Sequence, residues 1–339
     1  MSSPSLLPYV QTQLTRYGMT AILILGNIGN LLVALLFSKH RKNACSMYLL
    51  CTAVMNNVFL LSNIPLQVYI AYRGDPTLSS LISCKLRYYL PNVWGQMARY
   101  FLVLACIDRF AMTSANVHLR AFSRPSRARY LMSITTVFCH LIAIHLPIMI
   151  TITNERCGPT GSYYAVYTFY LFIFFNLIPP TTMAIFGSLA YLNMKRLHSR
   201  VQPVENVLAG NRHRHRRGNG RLQRYDRELL SMLLAEVIVY IVATLLYPFI
   251  LLETSITNLM VVDKSRQQIQ IETFILFIAS YLVTLNHAAP FYIYFLTSQA
   301  FRRDVKQLVN NSWHFITRRP DVTVTQPTGR TPVQAGNPF

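Results

Sequence analysis

The sequence predicts an all-α membrane protein: a bundle of seven transmembrane helices followed by a short amphipathic eighth helix. Three observations predict it. The 339 residues are 52% hydrophobic and only 13% charged, where a soluble chain of this size carries about 25% charged residues. Seven apolar stretches follow one another, each near the ~20 residues that cross the ~30 Å hydrocarbon core of a bilayer. The net charge of +20 falls in the segments between those stretches and not along one face. That placement argues against nucleic acid as a partner and for the lipid bilayer.

Taken in order, residues 17–38 are apolar and uncharged, and Lys39, Arg41 and Lys42 end the run. Residues 47–72 form a second span, with Asn56, Asn57 and Asn63 inside it and a kink expected at Pro65. Arg73, Gly74, Asp75 and Pro76 mark a tight turn. The third span, CKLRYYLPNVWGQMARYFLVLACIDRF at 84–110, organises the rest. As a helix, Cys84 to Asp108 rises roughly 36 Å at about 1.5 Å per residue, which places the cysteine and the Asp108-Arg109 doublet at opposite faces of the membrane. Spans four to seven are 130–152, 167–194 with Pro179-Pro180 inside it, 229–252 interrupted by Pro248, and 271–296. Residues 195–227 are expected as a basic loop and 298–313 as an amphipathic helix lying on the membrane, with Phe301, Val305 and Leu308 on one side. The polar stretch beyond Arg319 has the composition of a disordered tail. The expected division is 1–16 extracellular, 17–296 transmembrane, 298–316 helix eight and 317–339 cytoplasmic. No cleavable signal segment is evident at the start.

Seven spans place the two termini on opposite sides. With the N-terminus outside, the inner segments hold 24 of the 32 Lys and Arg residues, so the positive-inside rule sets that orientation. Cys84 and Cys157 then fall on the oxidising side, and a bridge between them would tie the loop after helix four to the top of helix three. Cys45, Cys51, Cys106 and Cys139 sit within or beside the membrane and suit apolar packing. Six cysteines with no C-x-x-C pair do not make a zinc module, and His140 and His145, about 140° apart on a helix, are badly placed for a metal.

Several polar groups carry a functional reading. Asp108-Arg109-Phe110 ends helix three and Glu228 begins helix six at the same face, so an Arg109–Glu228 salt bridge is expected to hold the two helices together. Such a surface pair contributes about 0–1 kcal/mol, which suits a reversible latch. Arg99 lies nine residues, about 13 Å, inward from Asp108, where an unpaired charge costs at least ~2.5–3.5 kcal/mol. Glu236 lies at matching depth on helix six, so Arg99 either pairs with Glu236 or bonds to asparagines or water while Glu236 faces a wet cavity. Asn30, Asn56 and Asn286, with Asn27 and Asn57 as structural glue, mark the inner seam. Pro248 and Pro290 interrupt backbone hydrogen bonding and offer hinges. The Arg-His repeat at 212–217 reads as a solvated loop. With no nucleophile elbow, P-loop or HExxH, an enzyme lacks a site, and no cofactor is implied.

These residues resemble the rhodopsin-like family of G-protein-coupled receptors over nearly the whole chain. GNIGN places Asn30 at the family's helix-one asparagine, CIDRF matches its Asp-Arg-Tyr motif with Phe110 in place of the tyrosine, and Glu228 matches the acidic partner of the ionic lock. Cys84 and Cys157 match the outer disulfide. NHAAPFYIYFLTSQAFRRDV is similar to the Asn-Pro-x-x-Tyr segment, with Tyr294 as its tyrosine and Phe301 as the helix-eight phenylalanine. There are departures. Pro290-Phe291 stands where Asn-Pro is usual, and Asn56 replaces the helix-two aspartate of the sodium site. Helix six lacks the tryptophan before Pro248, and helix four has none. Pro91 occupies the position where aminergic members carry an aspartate, which disfavours an amine ligand.

MARYFLVLACIDRF, MLLAEVIVYIV and the Phe-x-x-Tyr ending are most similar to invertebrate FMRFamide-type peptide receptors. The resemblance implies a plasma-membrane receptor for an extracellular ligand, a neuropeptide or a small molecule, coupled to a heterotrimeric G protein through movement of helix six. Asn92, Gln96 and the loop around Cys157 are the expected ligand contacts. A transporter or channel is the alternative class, and the sequence shows no repeated half to support it.

Overall fold

A computed structural model of the chain describes residues 6–153, 155–205 and 213–317. The side chains of 197–225 and 312–317 are left out as well, so residues 206–212 and the tail from 318 lie outside the described residues, and so do the side chains of most of the basic stretch 195–227, the Arg-His repeat included.

The chain is a bundle of seven membrane helices with an eighth packed at one end. Helix α1 runs through Leu6–Gln13, a π turn at Leu14–Gly18 and Met19–Ser38. Helix α2 is Ala44–Arg73 and α3 is Leu81–Thr113. Helix α4 comprises Pro125–Ala143 and a last turn, His145–Met149. A hairpin of β1, Thr151–Thr153, and β2, Arg156–Gly158, leads to α5, built from Tyr163–Leu171, a π turn at Phe172–Leu177 and Ile178–Glu205. Helix α6 is His213–Thr244 and Leu246–Leu259, α7 is Arg266–Ala288 and Pro290–Thr297, and α8 is Gln299–Thr317.

Local chemistry sets the ends. Asn43 caps α2 by accepting from the amides of Cys45 and Ser46, Ser80 caps α3 through Ser83, and Ser265 and Gln268 form a capping box at the start of α7. Gly74 closes α2 at φ 87°, where a Cβ would be strained. Gly26 serves a different need, because a Cβ there would lie 2.6 Å from that of Ala288, so it lets α1 and α7 meet closely.

Several helices extend past the apolar stretches that announce them. Helix α1 begins at Leu6 and not near 17, α7 begins at Arg266, and helix covers both described flanks of the expected loop 195–227. Apolar length marks where a helix enters lipid, whereas the helix itself continues wherever good helix formers follow. Proline acts unevenly. Helix α2 continues through Pro65 and α3 through Pro91, the α5 prolines follow a π turn, and Pro147, Pro248 and Pro290 stand just beyond a break in the helix.

Six helices are long and apolar enough to cross a membrane on composition alone. Helix α3 is the seventh, and it is more polar because its neighbours α2, α4, α5 and α6 surround it. Its face from Val93 to Arg109 is almost wholly buried. Outward-facing aliphatics, among them Ile28, Val137, Leu141, Ile185 and Val242, stay exposed on the outside of the bundle, as lipid-facing positions do. Phe301 of α8 is buried against the rings of Phe37, Phe291 and Tyr294, and Val305 and Leu308 pack beside it, so these three residues share one side, which faces the bundle.

Cys84 and Cys157 are bonded, fastening β2 to the start of α3. The two ends of the bundle are named below by the residues that mark them, the Cys84 end and the Arg109 end.

Candidate functional site

Helix α3 organises three polar groupings along its length. The first is the Arg109 end. Arg109 is buried, with its side chain 2% exposed, and donates from Nη2 to Asp108 Oδ2 at 2.8 Å, from Nη1 to Asp226 Oδ1 at 2.8 Å and from Nη2 to Asn43 Oδ1 at 3.2 Å. Asp108 also accepts from Ser123 Oγ at 2.6 Å. The guanidinium therefore joins α3 to α6 through Asp226 and to the start of α2 through Asn43. Phe110 packs on Phe186 of α5, with ring centroids 5.4 Å apart.

This corrects the expected Arg109–Glu228 bridge. Glu228 instead accepts from Ser298 Oγ at 2.8 Å and from the Ala300 amide at 2.5 Å, which fastens α6 to the start of α8. Residues 226 and 228 lie two apart, about 200° around a helix, so only one can face α3. The expected energy class changes too. The guanidinium and the Asp108 carboxylate are buried while Asp226 is 32% exposed, and stripping a buried charge of its partners costs about 3–5 kcal/mol, well above a surface pair.

The second grouping lies at mid-depth. Arg99, 6% exposed, places its guanidinium 4.4 Å from the ring centroid of Phe175 and 6.0 Å from that of Tyr240, with Nη2 3.5 Å from His287 Nε2. His287 Nδ1 lies 2.7 Å from Asn56 Oδ1, and Asn30 Nδ2 donates to the His287 carbonyl at 2.9 Å. The tautomer follows from the partners. The Asn56 carbonyl can only accept and the guanidinium can only donate, so His287 carries its proton on Nδ1 and is neutral. Glu236 is not the partner of Arg99; it accepts from the Tyr294 hydroxyl across α6 and α7. Equal depth fixes height but not azimuth, and Arg99 turns toward α5 and α7. Asn286 does not join the network, since its buried Oδ1 has no hydrogen-bond partner.

The third grouping is a cavity of about 290 Å³ between Arg99 and the Cys84 end. Phe59, Tyr88, Tyr167, Phe175 and Tyr247 supply aromatic walls, and Arg99 and Arg87 line it. Asn92 lines it, its amide donating to the Tyr88 carbonyl at 2.8 Å. Gln96 does not. It is fully buried and donates to Tyr170 Oη at 3.0 Å, away from the cavity. The Cys157 carbonyl accepts from Tyr88 Oη at 3.1 Å, so the bridged loop buttresses a cavity wall.

Sequence reasoning missed His287, Asp226 and Asn43. His287 is an ionisable residue in an apolar span, a signal sufficient to single it out. Asn43 stands just before an apolar run, where a helix cap is expected. Among the described residues, no group of three His, Cys, Asp or Glu is placed to hold a metal ion.

Seven membrane helices with an aromatic cavity toward one end, a buried polar seam and an ion-paired arginine at the other define a multi-pass transmembrane receptor. The chain belongs to the rhodopsin family of seven-transmembrane receptors, whose family model, 7 transmembrane receptor (rhodopsin family), matches residues 29–291. No curated protein matches it significantly. Members of this family are signalling receptors and not enzymes, and in general they join an extracellular ligand to a G protein.

Proposed function

We propose that the chain is a plasma-membrane receptor for a short neuropeptide that activates a heterotrimeric G protein. The N-terminus and the Cys84 end face outward and the Arg109 end faces the cytosol. The distribution of Lys and Arg supports this orientation, and the likeness of helices three, six and seven to FMRFamide-type receptors supports a peptide. The cavity at the Cys84 end receives the ligand.

One observation carries the reading: Arg109 is clamped by carboxylates of two helices, Asp108 on α3 and Asp226 on α6, at the end opposite the cavity. A ligand that favours an arrangement without the α3–α6 contact frees the end of α6, with the breaks before Pro248 and Pro290 as hinges. Tyr294, Phe110 and the Glu228 tie to α8 then shift with it. Moving such an equilibrium from 1:99 to 99:1 takes about 10⁴-fold preference for the open state, roughly 5.5 kcal/mol. That is the same order as the energy holding a buried pair.

In cells expressing the chain, one or more members of a peptide panel should activate a G protein, and Arg109→Ala should change or abolish that response with the protein still at the surface. Ion or solute flux with no G-protein response to any peptide would overturn the reading in favour of a transporter or channel.

A further inference from the structure

Among the described residues Arg99 has no counter-charge, and the lining of the cavity it faces has none to offer. The cavity lining includes two arginines and no aspartate or glutamate. Arg87 is already neutralised by Asp75, 2.5 Å away. Arg99 is not. Its contacts are a neutral imidazole, the face of Phe175 and the more distant ring of Tyr240, while Nε and Nη1 are buried without a hydrogen-bond acceptor. Both nitrogens carry N–H donors that water cannot reach freely at 6% exposure. Buried charges in proteins are paired or hydrogen-bonded, and a lone guanidinium inside the membrane therefore marks a site completed by something else.

From this geometry we infer that the floor of the cavity is an anion subsite, in which Arg99 receives a carboxylate or another monovalent anionic group. The aromatic walls then take an apolar or aryl portion of the same molecule. The inference rests on the reading of this cavity as the ligand site and sharpens it: the ligand enters with an acidic group leading, as a free C-terminal carboxylate or an acidic side chain would. An amidated end, as in FMRFamide itself, meets the same N–H groups with a neutral carbonyl and leaves the charge uncompensated, so the inference keeps the peptide reading but separates this ligand from amidated peptides without an acidic side chain. Asn56 and His287 hold the guanidinium from behind, since His287 accepts from Nη2 only while its own proton is committed to Asn56. Two sources share this chemistry, the acidic group of the ligand and a free small anion such as chloride.

The test uses the full chain in lipid nanodiscs without G protein, so its outcome is independent of the coupling assay. Thermal unfolding midpoints are compared at equal ionic strength in sodium gluconate, a bulky polyhydroxy anion, in sodium chloride, and with N-acetyl-phenylalanine or its uncharged amide. The acid should raise the midpoint in proportion to occupancy and the amide should not. Arg99→Gln should abolish the response, and Arg99→Lys should keep part of it. Stabilisation by chloride that competes with the acid also supports the subsite and assigns it to a free anion. Equal stabilisation by acid and amide, no response to any anion, or a response in Arg99→Gln equal to that of the unsubstituted chain would overturn the inference. If neither variant folds, the acid and amide comparison on the unsubstituted chain decides alone.

Discussion

Two arginines lie ten residues apart on α3, both buried, and their surroundings are opposite. Arg109 holds two carboxylates and an asparagine carbonyl from three helices. Arg99 holds a neutral imidazole and an aromatic face, with no carboxylate. Burying an ion is costly, and the cost is offset only where charge and hydrogen bonds are returned locally. The charge of Arg109 is therefore met within the protein, although its Nε, like that of Arg99, is buried without an acceptor, and its clamp adds to the stability of one arrangement of the helices. The Arg99 region is incomplete, and it gains most when something else arrives. A receptor needs both kinds of site, one that holds a resting state and one whose occupancy is worth enough to displace it.

The largest expected effect breaks the comparison from the Arg109 side. Asp108→Asn combined with Asp226→Asn leaves a buried guanidinium facing only neutral acceptors. The unliganded protein should lose about 3–5 kcal/mol of stability, read as a lowered denaturation midpoint in nanodiscs. Arg99→Met, which replaces an uncompensated ion with an apolar chain of similar length, should change the same midpoint little or raise it. Comparable losses in the two variants would show that both arginines are equally satisfied and would remove the distinction.

How much of this was legible beforehand differs by kind of information. The number of spans, the Cys84–Cys157 bond and the seating of Phe301 follow from apolar length, motif order and one-sided patterning, all of which are local. Which carboxylate meets Arg109 depends on helix azimuth. Asp226 and Glu228 occupy nearly the same height on opposite sides of α6, and resemblance to a motif selected the one that faces α8. Arg99 and Glu236 share a depth and still turn apart, because the rotation of each helix is set by packing that no single stretch encodes. The extensions of α1, α5 and α6 beyond the apolar runs escaped for another reason, since hydropathy registers lipid and not helix.

A smaller effect sharpens the contrast with a group of the other sign. Glu236 is 4% exposed, and its described partner is the Tyr294 hydroxyl. Tyr294→Phe keeps the ring contacts with Phe37 and Phe301 while deleting the described donor. The expected loss is about 1–3 kcal/mol, the range for stranding one buried acceptor. Glu236→Gln in the Tyr294→Phe background should recover part of it, because a neutral amide tolerates burial better than a carboxylate. No loss in Tyr294→Phe would mean that Glu236 has another route to satisfaction.

The smallest effect concerns the third arginine of α3, Arg87, whose partner Asp75 sits in the turn before the helix. Burial alone would raise the Asp75 carboxyl, but hydrogen bonds from the Thr77 hydroxyl and amide, with the charge of Arg87, outweigh it and hold the carboxyl below its usual range. A depressed folded-state value means that the pair stabilises above the unfolded value of about 3.9 and that this contribution is lost as pH falls through the folded value. With side chains 28% and 21% exposed, solvent screening limits it to about 1 kcal/mol or less. Asp75→Asn should therefore lower neutral-pH stability by that contribution, about 1 kcal/mol or less, and flatten the fall below about pH 4, where the two proteins converge. Added salt should weaken the Asp75 contribution because the pair is reached by solvent. The Arg109–Asp108 pair, with side chains 2% and 4% exposed, should barely respond to the same salt, so a salt titration of Asp75→Asn beside Asp108→Asn separates a screened arginine pair from a buried one on a single helix.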